Sequence, residues 1–256
     1  MSLSGVVILA LVQGLTEFLP VSSSGHLVVT RWLFGLSDVE GTAFDAWLHL
    51  GTLGAVLVYY WRVWVGIGRG LFKRDHEAKD KRELLLKIVV ATLPAAVVGY
   101  WWQDKVGEWF RGPTAVAWSL LFTAVVLGMT DWYAHKRVRR KRARMSDATW
   151  IGLAQVLALI PGVSRSGVTM AAGRARGLSR IQAAHFSFLL SVPIIAGAGL
   201  GTLPALVRQG GFSGLELGVG FSVSFLSGLA AIYGLLKIVQ RLSFVPFVIY
   251  LVVLSA

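Results

Sequence analysis

The sequence predicts an all-α integral membrane protein with six transmembrane helices and two re-entrant helix–loop–helix hairpins arranged as an inverted repeat. Three observations lead there. First, the chain is apolar throughout. Of 256 residues, 55% are hydrophobic and only 15% are charged, with a mean hydropathy of +0.66, far less charge than a soluble domain of this size displays. Second, apolar stretches recur at 43–61, 84–103, 113–134, 181–207, 214–236 and 242–256, most of them near the ~20 residues that cross ~30 Å of hydrocarbon. Third, two similar segments lie 142 residues apart. The first runs Gln13-Gly-Leu-Thr-Glu17-Phe-Leu-Pro20-Val-Ser22-Ser23-Ser24-Gly25-His26. The second runs Gln155-Val-Leu-Ala-Leu-Ile-Pro161-Gly-Val-Ser164-Arg165-Ser166-Gly167-Val-Thr169. Each sets a polar, helix-breaking patch inside an apolar stretch.

The first hairpin is expected over Leu3–Gly35. Met1–Leu19 has no basic flank and no small-residue cleavage site, so it reads as the hairpin's first helix rather than a leader peptide. Pro20 ends that helix and the serine run turns the chain. The span 43–61 follows, then a loop rich in Lys and Arg from Arg62 to Lys87. Spans 84–103 and 113–134 complete the first half. A second basic loop, Lys136 to Arg144, leads into the second hairpin at Thr149–Gly177 and then into the last three spans, of which 242–256 is the shortest. The repeat similarity continues through Phe44 and Leu48, which map at the same offset onto Phe186 and Leu190. The whole chain, 1–256, is thus one membrane domain, with 1–135 as first repeat and 147–256 as second.

Three spans in the first half place the start of the second half on the opposite side of the membrane, so the repeats are inverted. The basic loops are cytoplasmic by the positive-inside rule. The first hairpin then dips in from outside and the second from inside, and their tips meet near the midplane. Broken backbone is tolerated there only when buried in protein or lining a wet cavity, and inverted repeats with broken helices build a central site at their interface. The net charge of +12 sits mostly in these juxtamembrane loops, which need no nucleic-acid partner to explain them. The absence of cysteine excludes disulfides and thiolate metal sites. Trp61, Trp64, Trp101, Trp102 and Trp109 stand near span ends, where an aromatic belt is expected.

The tips carry the chemistry. Gln13 and Glu17 are four apart and share a helix face. A carboxylate in an apolar segment needs a partner or it becomes neutral. Arg165, between two serines and behind Pro161-Gly162, has no packing role there. Its planar fork suits phosphate oxygens, and neighbouring hydroxyls and amides complete an anion cradle. A helix starting near Ser166 adds a favourable dipole. Arg165 can equally pair with Glu17 across the repeat interface. Thr169 is either a cradle hydroxyl or a cap. Arg174, Arg176 and Arg180 are expected to snorkel toward the cytoplasm. Asp45 and His49 are read as a mutual hydrogen bond or cap, and His185 and Asp131 as span-end residues. One carboxylate, one imidazole, several hydroxyls and one guanidinium fit phosphoryl transfer, and a carboxylate could hold a divalent cation through waters. The same cradle could also bind phosphate without cleaving it.

The Gln13-x-x-x-Glu17 pair, the run Phe18-Leu-Pro-Val-Ser-Ser-Ser-Gly-His26 and the run Pro161-Gly-Val-Ser-Arg-Ser-Gly-Val-Thr169 resemble the bacterial undecaprenyl-diphosphate phosphatase, or bacitracin-resistance, family. Phe186–Pro193 and Ser243–Phe247 are similar to it as well. The resemblance implies hydrolysis of undecaprenyl diphosphate to undecaprenyl phosphate and inorganic phosphate, which recycles the lipid carrier for peptidoglycan and other envelope polymers. It implies a multi-pass protein of the bacterial cytoplasmic (inner) membrane with its site facing the periplasmic, outer side. A divalent cation, Mg2+ or Ca2+, is the implied cofactor, with Glu17 as its ligand. Carried onto this chain, the catalytic residues are Glu17, Ser23, His26 and Arg165, with Ser22 as the other candidate nucleophile. Gln13, Ser22, Ser24, Ser164, Ser166 and Thr169 are expected to bind substrate. Gln13 stands where many relatives have a second Glu, which weighs against a two-carboxylate metal site. The partners implied are the prenyl diphosphate lipid and membrane lipids, with a homodimer also compatible. The alternative function is a transporter or flippase of undecaprenyl phosphate built on the same site.

Overall fold

The computed structural model describes residues 2–36, 41–109, 112–134, 140, 142–209 and 211–256, the side chains of 41, 42, 103–109, 205, 207 and 209 apart. Of the second basic loop, Lys136, Arg137, Arg139 and Lys141 lie outside the described residues, as does the side chain of Trp109. The described chain is helical, with no strand. Its helices are α1 (Leu3–Phe18), α2 (Ser23–Phe34), α3 (Gly41–Tyr59), α4 (Trp61–Phe72), α5 (His76–Trp109), α6 (Pro113–Tyr133), α7 (Met145–Gln155), α8 (Arg165–Ala175), α9 (Arg180–Gln209), α10 (Gly214–Arg241) and α11 (Val245–Ser255). A 3₁₀ turn, Val156–Leu159, extends α7. The protein is an all-α membrane protein. Among the described residues, four helices are long and apolar enough to cross a bilayer: α5, α6, α9 and α10.

A fifth span exists if α3 and α4 are taken together, although they bend by 73° at Tyr60. The sixth expected span is α11, whose eleven residues reach only about 17 Å at 1.5 Å per residue. That is roughly half the hydrocarbon thickness.

Both expected hairpins form. In the first, α1 stops at Phe18 and Leu19 takes an extended conformation before Pro20, because proline restricts the residue ahead of it and cannot continue the helix. Ser22 then caps α2, its Oγ accepting the Gly25 N–H at 3.3 Å. In the second, Ser164 caps α8 in the same way, accepting the Gly167 N–H at 3.1 Å, and Gly162 makes the turn at φ +88°, a left-handed conformation open to glycine.

The hairpins are wedged between long helices by small residues. A Cβ on Gly14 of α1 would stand 1.9 Å from Ser227 Oγ and 2.6 Å from the Ser224 carbonyl oxygen of α10. A Cβ on Gly152 of α7 would stand 2.6 Å from the Ala91 carbonyl oxygen of α5. Without a hydrophobic drive between helices in lipid, such close backbone approach is what holds them together. The main apolar core gathers Phe18, Leu120, Ile151, Phe188 and Phe244 around both hairpins.

The arginines that were expected to snorkel do not. Arg174 is 1% exposed; its Nε donates to Asp131 at 3.0 Å, and Arg180 Nε donates to the same carboxylate at 2.9 Å. Asp131 also accepts the Phe244 N–H at 3.2 Å. One carboxylate at the end of α6 thus joins α8, α9 and the start of α11. Arg176 and Arg140 converge on Asp147, at 3.1 and 2.6 Å. Burial works against the Asp147 charge, but Arg140, the Arg144 N–H and Arg176 outweigh it and hold its carboxyl below the usual range. Sequence spacing cannot reveal these partners, which come from other helices.

Candidate active site

The two hairpin tips touch. Ser24 Oγ accepts the Gly162 N–H at 3.4 Å, and Ser166 Oγ donates to the Leu19 carbonyl at 2.7 Å. Two helices begin at this junction, α2 at Ser23 and α8 at Arg165. One helix ends there, α1, with Glu17 in its last turn. Helix N-termini favour anions and a C-terminus disfavours them. Glu17 therefore sits where the backbone repels its charge, and side chains must supply the compensation.

They do so fully. Glu17 Oε1 accepts from Arg165 Nη2 at 2.7 Å. Glu17 Oε2 accepts from Ser23 Oγ at 2.7 Å and from Gln13 Nε2 at 3.0 Å, and His49 Nε2 lies 3.4 Å from it. The carboxylate is 6% exposed and the guanidinium 13%. Arg165 Nη1 donates to the Ser187 carbonyl at 3.1 Å. A guanidinium has five N–H donors, so three have no partner among the described residues and are open to another oxyanion.

The two candidate nucleophiles are not equivalent. Ser22 is buried. Its Oγ caps α2, and its backbone sits at φ 72°, the only positive φ of a non-glycine among the described residues and a strain that a surrounding structure must hold. Ser23 is more accessible and directs its hydroxyl at Glu17 Oε2, the geometry of a nucleophile beside a base.

His26 is held away from that carboxylate. Its Nδ1 lies 2.7 Å from the Ser22 carbonyl and its Nε2 2.7 Å from the Tyr250 hydroxyl. A carbonyl only accepts, so Nδ1 carries the proton and Nε2 faces the phenol. The ring also stacks on Tyr250, centroids 5.5 Å apart. Tyr250 is well exposed, so the pair runs from the buried tip to the protein surface.

The remaining predicted residues divide by exposure. Ser24 is exposed, while Ser164, Ser166 and Thr169 are buried and committed to holding the loops. Ser164 N–H donates to Thr123 Oγ1 at 3.1 Å. Thr169 Oγ1 lies 2.8 Å from the Arg165 carbonyl and 2.7 Å from Ser187 Oγ, which makes it neither a cap nor a free cradle hydroxyl. Gln13 has a buried Oε1 with no partner among the described residues.

Three neighbours of this cluster were not assigned to the site from the sequence. His49 was read as bound to Asp45. Its Nδ1 does lie 2.7 Å from the Asp45 carbonyl oxygen, but that arrangement aims Nε2 at Glu17, and the Asp45 carboxylate is taken by Arg31. Ser187 and Tyr250 reach the site from α9 and α11. A signal for Ser187 existed, since the repeat match extends to its neighbour Phe186.

A family model described as bacitracin resistance protein BacA matches residues 6–256. The chain is similar to the undecaprenyl-diphosphatase of Desulforudis audaxviator, 47% identical over 249 residues, covering 97% of this chain and 94% of that protein. It is 42% identical over 252 residues to the undecaprenyl-diphosphatase of Pelotomaculum thermopropionicum, covering 98% and 93%. It is 41% identical over 264 residues to undecaprenyl-diphosphatase 2 of Stutzerimonas stutzeri, covering 100% and 97%.

Proposed function

Because the chain belongs to the bacitracin resistance protein BacA family, we propose that the hairpin tips form the active site of an undecaprenyl-diphosphatase. It releases inorganic phosphate from undecaprenyl diphosphate and leaves undecaprenyl phosphate. The observation that carries the site is the 2.7 Å hydrogen bond from Ser23 Oγ to Glu17 Oε2 beside the Glu17–Arg165 pair. It supports reading Ser23 as the nucleophile, Glu17 as the proton acceptor and Arg165 as the charge clamp of one phosphoryl group.

In this mechanism the diphosphate approaches the N-termini of α2 and α8. The free donors of Arg165 and the helix dipoles neutralise the terminal phosphoryl oxygens. Ser23 Oγ attacks the terminal phosphorus as its proton passes to Glu17. The bond to the bridging oxygen breaks and undecaprenyl phosphate departs. Water then cleaves the seryl phosphate, releasing phosphate and restoring Ser23. His26 lies one helical turn from Ser23 and exchanges the second proton with the outside through Tyr250.

A divalent cation, Mg2+ or Ca2+, fits the donors. The unpartnered Gln13 Oε1, Glu17 and Ser23 are hard oxygen ligands that would hold it, with diphosphate oxygens in the rest of the shell. When bound it would offset phosphate charge. Gln13 adds no negative charge of its own, so the site relies on Arg165 for most of its clamp. The inverted repeat, 1–135 and 147–256, the bacterial cytoplasmic membrane and a site opening to the periplasmic side belong to the same proposal. They rest on the basic loops and on counting the bent pair α3–α4 as one crossing, which with α5 and α6 makes three in the first half.

Phosphate release from undecaprenyl diphosphate by purified protein tests the assignment. Glu17→Ala and Arg165→Ala are expected to abolish it, and near-wild-type rates in both would remove the tips from the chemistry. A Ser23→Ala protein that keeps most of its activity would replace the seryl phosphate by direct attack of water.

A further inference from the structure

Away from the hairpins, the structure has a cleft of about 330 Å³ between α4 and the start of α5. Its charged lining consists of Arg62, Arg69, Lys73 and Lys81, with Asp75 and Glu77. Asp75 Oδ1 accepts the Ala78 N–H at 2.7 Å, and with Asp75 and Glu77 set against four cations the lining stays net positive by two. Among the described residues none of the four cations makes an ion pair. Nearby, three basic residues are matched, Lys87 with Glu83, Arg142 with Asp80 and Arg140 with Asp147, while Arg74, Lys79 and Arg144, like the four in the cleft, make no ion pair among the described residues.

The cleft is preformed. Arg82 Nη1 donates to the Gly70 carbonyl at 2.7 Å and to the Lys73 carbonyl at 2.5 Å, fixing the turn out of α4. Lys81 lies along Gly66 and Gly70, its Cε 3.1 Å from where a Gly66 Cβ would stand.

Helical spacing explains what the cations are for. Trp61, Val65 and Phe72 fall at i, i+4 and i+11, one stripe of α4, and all are exposed, Phe72 by 89%. Arg62, Arg69 and Lys73 fall at i, i+7 and i+11, a second stripe beside the first. The Arg62 guanidinium sits over the Trp61 ring, 5.4 Å from its centroid. α4 leaves the apolar helix α3 at 73°. A helix that turns sharply off a span, exposes aromatics along one stripe and carries unpaired cations along the next has the form of an in-plane interfacial helix.

We propose that this cleft binds the phosphate headgroup of an anionic phospholipid, whose acyl chains run along the Trp61–Val65–Phe72 stripe. Free phosphate would be drawn by the cations but would leave the apolar stripe uncovered. A lipid satisfies both. The site is separate from the hairpin tips and holds for whichever leaflet faces α4.

The test is lysine acylation of the purified full chain in a neutral detergent, read by mass spectrometry. Short-chain phosphatidylglycerol is expected to slow labelling of Lys73 and Lys81 severalfold and to leave Lys237 unchanged. Short-chain phosphatidylcholine and inorganic phosphate at the same concentration are expected to protect neither. Equal protection by inorganic phosphate would assign the cleft to a free anion instead, and no protection, or protection of all three lysines alike, would overturn the site. In lipid nanodiscs, neutralising Arg62, Arg69 and Lys73 to Gln is expected to weaken phosphatidylglycerol binding on the order of 100-fold. Lys237→Gln with Arg241→Gln should have little effect, and phosphate release reports that the variants are folded. A triple variant that binds the lipid as tightly as that control refutes the proposal.

Discussion

Arg165→Lys separates the shape of the clamp from its charge. In the structure the guanidinium bridges Glu17 Oε1 at 2.7 Å and the Ser187 carbonyl at 3.1 Å, and neither charged side chain is more than 13% exposed. Lysine keeps the charge but offers a compact ammonium in place of a rigid fork. It can follow Glu17 or stay with Ser187, and it cannot present paired donors to a phosphoryl group. Losing one hydrogen bond to a charged group costs about 1.5–3 kcal/mol, which is about 10- to 150-fold in kcat/KM. Arg165→Ala does more, because removing one partner of a buried ion pair costs about 3–5 kcal/mol of stability. A double-mutant cycle distinguishes the two effects: Glu17→Gln is expected to restore part of the melting temperature lost in Arg165→Ala, since it removes the stranded charge. The assay is phosphate release from undecaprenyl diphosphate by detergent-purified protein, run beside thermal unfolding of each variant. An Arg165→Lys protein within twofold of wild type in kcat/KM would refute the argument that fork geometry matters.

Four other outcomes are expected. Gly14→Val should drive α1 off α10, because even a Cβ there would stand 1.9 Å from Ser227 Oγ. Overpacking of this kind costs about 1–3 kcal/mol, and unchanged melting and activity would show that α1 is not held by this contact. Asp131→Asn removes the charge shared by Arg174 and Arg180 and should lower the melting temperature sharply, by about 3–5 kcal/mol of stability; a neutral effect would show the pairs to be dispensable. With Nδ1–H given to the Asp45 carbonyl, His49 Nε2 donates to Glu17 only as the imidazolium; His49→Leu is expected to lower kcat/KM by at least about tenfold through loss of that donor, while His49→Gln keeps a neutral donor and most of the rate. Equal loss in both would assign His49 to packing or to proton transfer. Asp147 has a depressed carboxyl pKa, so its contribution to stability is present above about pH 4 and fades as pH falls toward the folded value. The melting gap between wild type and Asp147→Asn should therefore be wide at neutral pH and close in acid, and a gap independent of pH would contradict that origin.

The hairpins were legible in the sequence because their signals are local. Pro20, Pro161-Gly162 and the Ser/Gly runs break helices for backbone reasons that act within a few residues, and the chain does stop at Phe18 and restart at Ser23 and Arg165. The pairing of Glu17 with Arg165 was also legible as one of two readings, since a carboxylate and a guanidinium set in the two similar tips, each inside an apolar stretch, need each other. What escaped was tertiary. Nothing near Arg174 in the chain announces Asp131, which lies 43 residues earlier. Nothing near His26 announces Tyr250, on a helix whose eleven residues read from the sequence as a span. The 73° corner at Tyr60 was hidden because the apolar run stops near that point and α4 continues in a mixed, basic pattern that reads as loop.

The repeat offset also explains why the two tips are unequal. Ser23 and Arg165 occupy the same repeat position, and each is the first residue of the second helix of its hairpin. Two equivalent backbone sites, both at the positive end of a helix, thus present a hydroxyl on one side and a guanidinium on the other. The carboxylate exists on one side only: Gln13 is followed by Glu17 four residues later, whereas Gln155 is followed by Leu159. Strain follows the same division, with Ser22 at φ 72° and its counterpart Ser164 at φ −75°. A symmetric pair of tips carrying two Glu–Ser sets would confront a diphosphate with two negative charges and no clamp. A pair carrying two arginines would bind it without a proton acceptor. On the proposed mechanism phosphoryl transfer needs one of each within a single phosphate's reach, and two differences between the similar segments supply them, Ser23 against Arg165 and Glu17 against Leu159.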